Sequence, residues 1–139
     1  MFKIKTMAAF LLLLYGAYAV SPLSLLKAFL ICFIPFVIVS LVRRIINAPR
    51  PYELYDFYEE SPRSKKGSSF PSRHVYSASV IATLLLFVYP IVGYVMLFFA
   101  LLLAAIRVLL GIHFIRDVVC GGSLGVGAAL LGAFIFTPF

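Results

Sequence analysis

Five apolar runs take up most of this chain, roughly residues 6–20, 23–46, 74–89, 91–112 and 117–136. An α-helix needs ~20 such residues to cross a bilayer. Soluble domains are about 45–50% apolar; this chain is 63% hydrophobic, with a mean hydropathy of +1.09. A fold of 139 residues cannot hide that much apolar surface from water. The solvent is therefore lipid. The expected architecture is all-α: a polytopic transmembrane bundle of about five helices, forming one membrane-embedded domain over residues 1–139. Breaks between runs fall at Ser21-Pro22, at Pro49 and at Pro90.

The first run has a rival reading. Lys3, Lys5 and Ala17-Tyr18-Ala19 resemble a signal peptide. The apolar pattern resumes almost at once, so a retained helical hairpin is the expectation.

The formal charge of +7 favours anionic partners. Nucleic acid is a poor candidate, because the basic residues gather at helix ends, where lipid headgroups or phosphates lie. Cys32 and Cys120 sit inside apolar runs and read as small packing residues. The polar stretch 47–71 divides in two. Residues 52–60 mix Tyr and Phe with acids and could lie in the interface as an amphipathic helix. Residues 61–69 are basic and read as a solvated connector, or as a lip that collects anionic headgroups.

Charge beside hydrocarbon is costly, so its placement is informative. Four of the five acids crowd into the polar loop, and Asp117 alone flanks an apolar run. Both histidines, His74 and His113, lie at the ends of such runs. His113 and Asp117 are four residues apart, one turn on a helix. A carboxylate on one ring nitrogen fixes the tautomer and sharpens the other as a nucleophile. Arg43, Arg50 and Arg107 offer planar donor forks for phosphate-type oxygens. Ser72 and the N–H groups opening the third long helix could complete an anion nest, and His74 could protonate a leaving oxygen. Taken singly, each is explained by snorkelling, capping or a structural hydrogen bond. Alternate crossing of segments two to five puts loop 47–73 and turn 113–116 on one face, so they can form one composite site. Gly121, Gly125, Ala129 and Ala133 recur every four residues in line with Asp117, which turns Asp117 toward the bundle.

Three blocks carry these residues: Arg43-x6-Arg50-Pro51, Pro71-Ser72-Arg73-His74 and Arg107-x5-His113-x3-Asp117. Together they resemble the type 2 phosphatidic acid phosphatase superfamily, with its Lys-x6-Arg-Pro, Pro-Ser-Gly-His and Ser-Arg-x5-His-x3-Asp blocks. That family includes membrane lipid phosphatases, bacterial acid phosphatases and vanadium haloperoxidases. Arg43 stands where the family has Lys, Arg73 where it has Gly and Ile106 where it has Ser. Five spans replace the usual six.

The resemblance implies a phosphatase needing no metal and no cofactor. In it His113 is the nucleophile that becomes phosphohistidine, Asp117 orients it, and His74 serves as acid and then base. Arg43, Arg50, Ser72, the Arg73 amide and Arg107 hold the phosphoryl oxygens. The implied partners are the bilayer and a phosphorylated lipid, such as phosphatidic acid, phosphatidylglycerophosphate or undecaprenyl pyrophosphate. The implied location is a bacterial cytoplasmic membrane with the site facing outward. A phosphotransferase and a non-catalytic lipid-phosphate binder are the competing readings. The sequence leaves the oligomeric state open.

Overall fold

The computed structural model describes residues 2–55 and 66–135. These form α1 (Phe2–Val20), α2 (Pro22–Ile46), the single turn α3 (Pro51–Leu54), α4 (Arg73–Val88), α5 (Pro90–Leu109) and α6 (Ile115–Ile135). The five long helices coincide with the five expected apolar runs. The stretch Pro22–Leu54, together with α5 and α6, is long and apolar enough to cross a membrane. Large apolar side chains such as Ile91, Leu101 and Phe134 cover the outside, as lipid contact demands.

Local signals set the helix ends. Ser21 caps α2 by accepting the Ser24 N–H at 3.0 Å, and Pro22 occupies its first turn. Asn47 closes α2 in the left-handed conformation. α5 stops three residues before the end of its apolar run. Gly111 adopts φ +63° there, and the N–H groups of Ile112 and His113 both return to the Arg107 carbonyl. The apolar pattern alone could not register that turn.

Helix α4 is the axis of the bundle and packs against α1, α2, α5 and α6. Tyr76, Val80, Leu84 and Leu85 on it are almost wholly buried. It is shorter than a typical span, which is tolerable because protein rather than lipid surrounds it. Between helices in lipid, association depends on close packing more than on hydrophobicity. The small stripe of α6 meets that need against α4. A Cβ on Gly121 would lie 2.5 Å from the Ser72 carbonyl oxygen, and one on Gly125 would lie 2.6 Å from that of Tyr76. Leu13 and Ala17 of α1 are fully buried, and α1 packs against α2 and α4.

The ends of α2 and α5 and the starts of α4 and α6 meet at one pole. The Tyr52 N–H donates to the Gly111 carbonyl at 3.2 Å, and the Ser72 N–H to that of Asp117 at 3.0 Å. The loop and the turn therefore share a face, as alternate crossing requires. Of the expected interfacial helix over 52–60, only the Pro51–Leu54 turn is helical among the described residues, and 56–60 lie outside them. The solvated-connector reading of 61–69 fails at its last residue. Ser69 is fully buried, because its N–H donates to the Ala48 carbonyl at 2.9 Å and its hydroxyl points inward. Residues 61–65 lie outside the described ones.

Candidate active site

The polar pole gathers the sequence-predicted residues. Arg43, in the last turn of α2, is buried, and its guanidinium donates to the Pro71 carbonyl at 3.3 Å. Arg50 precedes α3, and its Nε donates to the Gly67 carbonyl at 3.0 Å. Glu53 braces that arrangement by accepting the N–H groups of Arg50 at 3.2 Å and Gly67 at 2.6 Å. Asn47 accepts both the N–H and the hydroxyl of Ser68 at 3.1 Å. The Gly67–Ser69 segment is thus pinned across the mouth of the loop.

Ser72 is the N-cap of α4, yet its hydroxyl makes no capping bond. It is fully buried and has no hydrogen-bond partner among the described residues. A buried orphan hydroxyl ordinarily costs stability. Here it stands at a helix N-terminus, where N–H groups and the helix dipole favour an anion. A phosphoryl oxygen would satisfy it.

Arg73 opens α4, but its guanidinium lies over the Phe36 ring, 5.9 Å from the centroid. Its side chain packs on α2. His74 follows in the first turn, half-buried. Arg107 lies in the last turn of α5, also half-buried, and its carbonyl holds the turn that carries His113.

His113 and Asp117 are almost completely buried. Asp117 Oδ2 accepts the Phe114 N–H at 3.0 Å, as an acid in the first turn of a helix does. The direct approach of His113 Nδ1 to Asp117 Oδ2 is 3.7 Å, too long for a hydrogen bond. Between them stands Ser69, whose hydroxyl donates to Asp117 Oδ2 and lies 3.3 Å from His113 Nδ1. Burial, and then the charges of Arg43, Arg50 and Arg107 and the nearby His74, push the His113 imidazole down to about 3. Both effects disfavour a cationic ring beside Asp117.

Sequence reasoning missed Ser69, Glu53 and Asn47. Glu53 had a local signal: Arg50-Pro51-x-Glu53 has the spacing of a helix start with an acid at the third helical position. Ser69 had none, since its partners lie 44 and 48 residues away. Among the described residues, no three His, Cys, Asp or Glu side chains converge as metal ligands would.

Comparison with known proteins adds the lineage. The sequence model of the PAP2 superfamily matches residues 24–137, which contain all three blocks. A crystal structure of LpxE from Aquifex aeolicus has the same fold: 22% identity, TM-score 0.67, covering 90% of this chain and 85% of that one. So does that of a transmembrane PAP2-type phosphatidylglycerolphosphate phosphatase from Bacillus subtilis: 25% identity, TM-score 0.71, covering 93% of this chain and 67% of that one. No curated protein sequence matches this chain. The chain belongs to the PAP2 superfamily.

Proposed function

We propose that this chain hydrolyses a phosphomonoester or pyrophosphate on a lipid through a phosphohistidine on His113. One continuity carries the lipid part of the reading. An apolar cleft of about 740 Å³ runs between α2 and α6, lined by Ile34, Ile38, Val42, Leu124 and Leu131. Phe70 and Pro71 also line it, and the next residue is Ser72 of the nest. A lipid tail in that cleft brings its phosphate to the arginines.

The chemistry follows from the residues present. Arg43, Arg50 and Arg107 and the N-terminus of α4 hold the phosphoryl oxygens. The lone pair of His113 Nε2 attacks phosphorus, and the bond to the lipid oxygen breaks as His74 gives that oxygen a proton. Water, deprotonated by His74, then attacks the phosphohistidine and frees phosphate. Catalysis of this kind depends on position and charge stabilisation.

Candidate substrates are phosphatidic acid, phosphatidylglycerophosphate and undecaprenyl pyrophosphate. One modest loop offers little surface for headgroup discrimination, so a broad range is expected. The purified protein in detergent, given a long-chain lipid phosphate, is expected to release free phosphate and leave the dephosphorylated lipid. Tight binding without release would favour a carrier, and phosphate delivered to another alcohol would favour a transferase. The family resemblance favours an outward-facing site. A Ser64→Cys protein should react with an impermeant thiol reagent in intact cells, and protection until lysis would overturn that orientation.

A further inference from the structure

We propose that Ser69 is the positioning residue through which Asp117 fixes the tautomer of His113. This rests on His113 being the nucleophile. A serine hydroxyl has one proton, and Ser69 gives it to Asp117 Oδ2. Toward His113 Nδ1, 3.3 Å away, the same oxygen can then only accept. Nδ1 therefore carries the ring proton, and the Nε2 lone pair is free for phosphorus. Asp117 cannot impose this alone, because its nearer oxygen is 3.7 Å from Nδ1 and already accepts the Phe114 N–H.

The hydroxyl is itself held from outside the pair. The Ser69 N–H donates to the Ala48 carbonyl at 2.9 Å, and Ser68 is tied to Asn47. Ala48 and Asn47 lie between Arg43 and Arg50 in the chain. The orientation of the nucleophile is thus set by the same segment that carries two of the phosphate-binding arginines. When the Nε2–P bond forms, the ring becomes cationic. Its Nδ1–H stays with Ser69, whose O–H dipole passes the carboxylate's stabilisation on to it. No proton leaves the trio in this step.

The test is ¹⁵N NMR of histidine-labelled protein in detergent, alongside phosphate release. The chain has two histidines, so a His113→Asn spectrum assigns the signals. In the wild-type protein, His113 should be neutral and protonated on Nδ1. In Ser69→Ala it should become a mixture of tautomers or take the proton on Nε2. kcat should fall about 10–100-fold, the effect of losing one orienting hydrogen bond. KM should stay within about threefold, since the arginines are untouched. Ser69→Thr, which keeps the hydroxyl, should restore both the tautomer and most of kcat. An unchanged tautomer and kcat in Ser69→Ala would overturn the proposal. A wild-type His113 protonated on Nε2 would overturn it even if Ser69→Ala failed to fold. The tautomer is read in the resting protein, so absence of phosphate release would count against the proposed reaction and not against this arrangement.

Discussion

The Ser72 N–H donates to the Asp117 carbonyl at 3.0 Å, joining the N-cap of α4 to the first turn of α6. One hydrogen bond thus ties the candidate anion nest directly to the element that carries Asp117. Neither helix could approach closely enough without Gly121, because the Ser72 carbonyl occupies the space a side chain would need.

Gly121→Ala is expected to lose most activity. Its Cβ would lie 2.5 Å from backbone, so α4 or α6 must shift and the nest with it. Gly122→Ala is the control: its added Cβ would meet only Val75 and Ser79 side-chain atoms at 3.6 and 3.7 Å, ordinary contact distances, and it lies outside the lipid cleft. That change should keep activity and gain about 0.5–1 kcal/mol in helix propensity. Thermal unfolding and phosphate release from both variants check this. Equal tolerance at the two positions would show that the close contact does not matter.

Arg73→Gly is expected to retain activity within about threefold. The Arg73 guanidinium is occupied with the Phe36 ring, so phosphate needs only its backbone. Loss of that contact should cost about 0.5–1 kcal/mol of stability. A steep rise in KM in a well-folded variant would show instead that the guanidinium swings onto the substrate.

The bundle and most of the site were legible in the sequence, for physical reasons. In lipid, charge is rare and therefore informative, so Arg43, Arg107, His113 and Asp117 stood out against their surroundings. Long apolar runs located the five long helices to within a few residues. Two kinds of feature were hidden. The early end of α5 depends on one glycine conformation at Gly111, which an apolar count ignores. Ser69 belongs to the site through contacts made only after folding, and in sequence it is one serine among several in a polar loop. The spacing of His113 and Asp117 pointed to a pair meeting across one helical turn; in the structure His113 lies in the turn before α6, and a third side chain, Ser69, stands between them.

Chelator should leave activity intact. The described residues hold no cluster of metal-ligating side chains, and a two-metal phosphatase needs one. Vanadate should inhibit, since it can adopt five-coordinate geometry in the proposed phosphoryl site. Activity lost in chelator and restored by Mg²⁺ or Zn²⁺ would refute the histidine mechanism.

His113 should not titrate in the neutral range. Burial and the surrounding guanidiniums disfavour its cationic form and hold it down near about 3, from an ordinary value of 6.5. The unfolded chain takes up this proton below about 6.5 while the fold refuses it, so this group lowers stability as pH falls through that window. The His113 signal in an NMR titration should stay flat from about pH 8 to 4. Bound phosphate should move its midpoint upward by offsetting the arginine charge. A midpoint near the ordinary histidine value in the free protein would contradict the burial and field described here.

The two histidines should fail in different ways. Without His113 no covalent intermediate can form, so His113→Ala should be inactive on every substrate. His74 matters most when the leaving group is poor, as a glyceride alkoxide is. General acid catalysis is typically worth ~10²–10⁴-fold, and an activated aryl phosphate needs little of it in the first step. His74→Ala should therefore release a burst of aryl alcohol and then stall, because water is not activated. The stalled protein should carry acid-labile, base-stable phosphate on His113. Asp117→Asn should fold but turn over slowly, since Ser69 and the imidazole lose their carboxylate. Rapid-quench product release with each variant, and mass spectrometry of the trapped protein, measure all of this. Phosphate found on His74, or turnover by His113→Ala, would reverse the roles assigned to the two rings.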